Sequence, residues 1–218
     1  MQDTRFAKAR RSLNRLLARE EGSISIETAL FIPLLIFLFV AGYTYFDGYR
    51  RDATMSKATY AVADLLSRRR DVVTDFDLDG LENIYETIVF SGEDDSYMRF
   101  SEIRLVPEDE GGGLEVVWTH ATDNQPELTN NDLRFITGRI PPLDENKRIL
   151  LVEAYTYDNP AFNVFLPDRV IDTFQPIGAR YEECIVYSPD GTDPGGCLVA
   201  GGGTGATSDD EAGTPVGG

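Results

Sequence analysis

The sequence is poor in the residues on which most enzyme chemistry rests: one histidine, one tryptophan, three methionines and two cysteines. With His120 alone, histidine-based zinc sites and most catalytic triads lack the partners they need. No G-x-S-x-G, H-E-x-x-H or Walker sequence is present. Gly111–Gly113 could cradle a phosphate, but Glu108, Asp109 and Glu110 precede it and would repel one. Acidic pairs such as Asp94/Asp95 carry no message in a chain with 37 carboxylates; they read as solvated surface. No repeat of the solenoid or propeller kind occurs. The expectation is a protein without enzymatic activity, cofactor or bound metal.

Positive charge is scarce except at one end. Residues 1–21 hold Arg5, Lys8, Arg10, Arg11, Arg15 and Arg19 against Asp3, Glu20 and Glu21, a surplus of three positive charges, so the −17 of the whole chain becomes −20 beyond them. So acidic a body repels phosphate backbones, and nucleic acid is not an expected partner.

Between the two charge regimes lie 19 uncharged residues, Thr28 to Phe46. As a helix they span about 30 Å, the hydrocarbon thickness of a bilayer. The run is apolar on every face, which suits lipid better than a protein core. Tyr43, Tyr45 and Tyr49 follow at its far end, where aromatic rings favour the interface. The Arg-rich side stays in the cytoplasm, so the expected topology is a single-pass inner-membrane protein with its C-terminal domain outside. A secretory signal cut near Ala41 or Gly42 is the rival reading. The run is long for such a signal and Glu27 lies just inside its start, so retention is expected. Pro33, within the run, removes one helical hydrogen bond and is tolerated in membrane helices.

Glu27 is the one ionisable residue at the start of this span, at a position where burial in lipid is costly. The surrounding string is Arg19-Glu-Glu-Gly22-Ser-Ile-Ser-Ile-Glu27-Thr-Ala-Leu-Phe-Ile-Pro33. A glycine followed five residues later by glutamate, where a basic leader meets an apolar helix, resembles the processing site of type IV pilin-like proteins, specifically the TadE-like pseudopilins of the Tad (Flp) pilus system. The resemblance implies cleavage by a prepilin peptidase between Gly22 and Ser23, a mature chain beginning at Ser23, and a role for Glu27 in setting subunit register against a neighbour's new N-terminal ammonium. It further implies a minor pseudopilin that acts as a structural and assembly component of an adhesive pilus, with other pilins and the assembly platform as partners. Thr28 stands where the major pilins of that system carry an aromatic, which points to the minor role. The alternative is a membrane-anchored extracytoplasmic binding or sensor module, calcium-dependent if the acidic segment described next binds metal.

The helix is expected to outrun the bilayer. Met55, Ala58, Val62, Leu65 and Leu66 recur at helical spacing, giving a rod from Ile24 through Ser67 of about 65 Å. Asp75–Glu86 then matches the calcium-loop pattern D-x-D-x-D-G-x5-E. However, Leu78, Leu81, Ile84, Tyr85 and Ile88 form an apolar helical stripe through Gly80, and the eighth loop position is Glu82. The preferred reading is a helix starting near Asp75 or Asp77 behind an Asp cap.

Strands are expected at Met98–Val106, Leu114–His120, Ile149–Tyr157 and Arg180–Tyr187, the first two joined by the acidic loop Pro107–Gly113. Alternation would place Leu114, Val116, Trp118 and His120 on one face, and Leu150, Val152 and Ala154 together on another. Val117–Thr122, Leu151–Tyr157 and Phe174–Tyr187 also look like the soluble part of TadE-like proteins. The fold class is therefore α+β: a long N-terminal membrane helix continuing into a pilin-like domain with an antiparallel sheet. The expected organisation is a basic leader at 1–22, a membrane helix at 23–46, a helical stem at 47–70, a domain at 71–198 and a disordered acidic, Gly-rich tail at 199–218. Cys184 and Cys197, in a segment read as exported and separated by turn-forming residues, are expected to form a disulfide.

Overall fold

The computed structural model describes residues 21–91, 95–145, 147–160 and 166–192. Residues 1–20 of the expected leader, Cys197 and the tail lie outside them. Helix α1 runs Glu21–Ser67, α2 Asp75–Val89 and the short α3 Leu133–Ile136; the strands are β1 Ser96–Val106, β2 Gly113–Ala121, β3 Arg148–Asp158 and β4 Arg169–Ile177. The four strands form one antiparallel sheet in the order β2-β1-β3-β4. Two compact units divide the chain, Met1–Met55 with Thr156–Ile171 and Ser56–Tyr155 with Asp172–Gly218.

In the first unit, α1 is continuous through Pro33. From Ile24 to Phe39 its large apolar residues are exposed on every side, the surface a lipid phase would cover. It is the one helix among the described residues long and apolar enough to cross a membrane. Thr28 and Thr44 donate their hydroxyls to the carbonyls of Ile24 and Val40 one turn earlier, so neither adds an unpaired donor to an apolar helix. Beyond the span the chemistry changes to alternating charge. Arg51 pairs with Asp47 at 3.0 Å and with Asp158 at 2.9 Å; Arg169 pairs with the same Asp158 at 3.3 Å and with Asp52 at 2.7 Å. The Asp158 carboxylate is buried between the two guanidiniums. Gly48 lies against Leu166: a Cβ there would sit 2.8 Å from Leu166 Cδ2.

In the second unit the sheet carries a core on each face. One holds Ala58, Val62, Ala63 and Leu66 of α1, Leu78, Leu81 and Tyr85 of α2, and Met98, Phe100, Leu150, Val152 and Ala154 of the sheet. The other gathers Ile103, Ile149 and Leu151 under Leu128 and Leu133, supplied by the connection between β2 and β3 that contains α3. Leu150, Val152 and Ala154 thus share a face as expected. Leu65 of α1 and Ile84 and Ile88 of α2 do not join the core; all three are exposed. Ala63 follows Val62 in the buried stripe instead, and α2 turns Glu82 inward where its apolar count suggested Ile84.

α2 starts at a Thr74 cap, one residue before the expected aspartate. Asp77 N–H donates to Thr74 Oγ1 at 3.3 Å while Thr74 N–H donates to Asp77 Oδ2 at 3.1 Å, a reciprocal capping box. The Thr74 hydroxyl, which donates to Asp77 Oδ2 at 2.8 Å, then the Thr74 N–H and the Arg69 guanidinium hold the Asp77 carboxyl below its ordinary range. Gly111, Gly112 and Gly113 all take positive φ in the β1–β2 connection, a backbone that side chains resist.

Two expectations about the sheet are corrected. The β1–β2 register shifts between Glu102 and Ile103: Glu102 faces Trp118 but Ile103 faces Val116, leaving Val117 as the extra residue of a β-bulge. A bulge breaks strict alternation. Leu114 and Val116 therefore pack against one core while Trp118 packs against the other. The fourth strand is Arg169–Ile177 and not Arg180–Tyr187. Pro176 is tolerated because β4 is an edge. The later segment instead runs irregularly, held at Tyr187 by an isolated parallel bridge to Val73.

Candidate functional site

Gly22 and Ser23 fall in the first turn of α1, and Glu27 follows on the same helix with its side chain exposed. Among the described residues Glu27 has no ion-pair partner within the chain. Cys184 is buried and no described cysteine is free, but Cys197 lies outside the described residues.

The described residues also form a polar cleft that the sequence reading did not identify. Its volume is about 420 Å³, and Asp79, Glu82 and Glu86 of α2 face His120, Thr122 and Asp123 across it. The helical pitch explains the acidic wall: positions 75, 79, 82 and 86 are three or four apart and stack on one face. Asp77 falls elsewhere and is spent on the cap. Helical geometry therefore replaces the wrapped loop that an Asp75–Glu86 calcium site requires, and among the described residues no group of three or more His, Cys, Asp or Glu side chains is placed to hold a metal ion.

His120 bridges two turns of this wall, with Nδ1 3.2 Å from Asp75 Oδ1 and Nε2 3.2 Å from Asp79 Oδ1. The Tyr187 hydroxyl donates to the same Asp75 oxygen and its ring stacks on Trp118 with centroids 4.6 Å apart. Burial first, and then the Asp75 carboxylate, push the Tyr187 hydroxyl far above its ordinary range. Glu82 is only 8% exposed and receives the Thr122 hydroxyl at 2.5 Å. Burial raises its carboxyl to about 7; the Thr122 bond opposes the rise, while Asp123, Glu86 and Asp79 add to it. The acidic spacing from Asp75 to Glu86 was visible in the sequence, but the residues facing it come from the end of β2 and the turn after it, some forty positions later.

A second buried carboxylate lies deeper. Glu102 is 2% exposed, accepts the Ile185 N–H at 2.9 Å and pairs with Arg148 at 3.3 Å. Trp118 donates its indole N–H to the Ile185 carbonyl at 3.2 Å. Together they clamp both polar groups of Ile185, next to Cys184, onto the sheet. Comparison of the chain with known protein families, with characterised proteins and with solved structures finds no match to any of them.

Proposed function

We propose that this protein is a minor pseudopilin of the TadE-like kind, a structural and assembly subunit anchored in the inner membrane. Its leader faces the cytoplasm and its acidic α+β domain lies outside. The reading is carried by one conjunction: Gly22 and Glu27 sit at the start of a helix that exposes apolar residues on every face from Ile24 to Phe39 and continues unbroken to Ser67. An exposed carboxylate at the beginning of a lipid-facing helix is costly alone. The ammonium of a neighbour's processed N-terminus offsets that cost, and only cleavage creates this amine. Prepilin peptidase, other pilins and the assembly platform are the partners that follow, and the positive leader sets the orientation.

N-terminal sequencing of the membrane-extracted protein tests the reading. The expected start is Ser23, and Gly22→Val should block processing by crowding the cleavage site. An intact leader in the wild-type chain would refute it and leave a membrane-anchored binding module as the better description.

A further inference from the structure

We infer that Glu82 is a proton-operated latch: the neutral acid fastens α2 to the end of β1 and to the turn after β2, and ionisation loosens that attachment. The inference does not depend on leader processing or on the pilus.

The Thr122 hydroxyl has one proton but lies near two acceptors, Glu82 Oε1 at 2.5 Å and the Met98 carbonyl at 3.2 Å. Its oxygen already accepts the Met98 N–H at 2.9 Å. A carboxylate can only accept, so ionised Glu82 draws the Thr122 proton to itself and leaves Met98 without it. Neutral Glu82 brings its own proton: it donates to Thr122, and Thr122 in turn donates to Met98. The chain from α2 through the turn to β1 is then satisfied at every link.

The surroundings push the same way. Facing Glu82 are Asp79 and Glu86 from its own helix, Asp123 from the turn and His120 from β2; no lysine or arginine lines the cleft among the described residues. β1 contributes Ser96, which donates to Glu86 at 3.2 Å, and the backbone of Met98. His120 is engaged with Asp75 and Asp79. A negative charge on Glu82, itself buried, therefore meets three other carboxylates.

The sign follows from linkage. Glu82 holds its proton to about pH 7 when α2 is docked, against an ordinary 4.5 when exposed. The docked state binds more protons between those values, so opening becomes easier as pH rises through that window and levels off above it. Full linkage between pH 5 and pH 8 would raise the open population by several tens-fold; the cleft is open to solvent, and a rise of at least about tenfold is the expectation.

Hydrogen-exchange mass spectrometry on the full chain in detergent, from pH 5 to pH 8, tests the latch. Opening of residues 75–89, corrected for intrinsic exchange, should rise at least about tenfold in wild type, mostly below pH 7. Glu82→Gln keeps a donor toward Thr122 and carries no charge; it should hold the segment at pH 8 as tightly as wild type at pH 5. His120→Asn should retain the rise. Identical profiles for wild type and Glu82→Gln would overturn the inference, as would a rise lost in His120→Asn but kept in Glu82→Gln. A Glu82→Gln chain that fails to fold would overturn it too, because a neutral isostere must be tolerated if the latch is closed by neutrality.

Discussion

Removing the Glu102 carboxylate tests whether the segment around Ile185 is held by one buried charge. Glu102→Ala leaves the Ile185 N–H without its 2.9 Å acceptor and removes the buried ion pair that Glu102 makes with Arg148, itself largely buried. An unsatisfied buried donor costs about 1–3 kcal/mol, and breaking a buried ion pair from one side about 3–5 kcal/mol. The two penalties overlap, so the expected loss is about 3–5 kcal/mol in total. For a folded body of roughly 150 residues each kcal/mol lowers Tm by about 2–4 °C, so the fall should be roughly 6–20 °C. Glu102→Gln retains an acceptor for Ile185 and removes the cost of burying a charge, which already raises this carboxyl above its ordinary range. Its loss should be near 1 kcal/mol. Trp118 reports the transition directly, since it bonds the Ile185 carbonyl and stacks on Tyr187. The assay is near-ultraviolet circular dichroism of the full chain in detergent during heating. A Tm change below about 3 °C for the alanine variant, or equal damage from glutamine and alanine, would refute the reasoning.

Glu27→Ala should leave membrane insertion intact, because it removes a charge from an apolar helix, yet reduce piliation; unchanged piliation would sink the register role. Thr74→Ala should cost about 1 kcal/mol through loss of the capping box, read as a lower denaturation midpoint with an unchanged slope. Titration calorimetry with calcium at micromolar concentration should show no one-to-one isotherm; a tight isotherm abolished by Asp75→Ala would mean that α2 can unwind into a binding loop. Cys184 and Cys197 should resist alkylation until reduced, and their 14-residue loop should contribute about 3 kcal/mol in the chain-entropy model. Two alkylated thiols in the native exported protein would refute the pairing and the topology behind it.

What the sequence made legible was what depends on period and local composition. The helix to Ser67 followed from an apolar run continued by a helical stripe, and β1, β2 and β3 from alternation bounded by turn residues. The errors came where a distant partner decides. Pro167 precedes β4 and Pro176 lies inside it, and they hide it, because proline argues against a strand unless the strand is known to be an edge. Glu182 and Glu183 sit in a segment whose β-rich composition suggested a strand, but its backbone is held by Glu102, Trp118 and Val73. The bulge at Val117 left no mark that alternation could reveal. The cleft was not legible: Asp79, Glu82 and Glu86 fell within a stretch whose only motif match was a calcium loop, and nothing local announced that Thr122 and His120 would meet them.

The charge ladder Asp47–Arg51–Asp158–Arg169–Asp52 has a mechanical consequence. A pull applied along α1 reaches the ends of β3 and β4 through the two pairs that cross from the helix, Arg51–Asp158 and Asp52–Arg169, which share the shear. Asp158–Arg169 ties the two strand ends together. Each arginine in the ladder is more than a third exposed, so dissolved ions screen the exposed contacts. The joint is consequently stiff in dilute medium and softens as salt rises, which makes ionic strength a setting on how faithfully movement of the helix is passed to the strands.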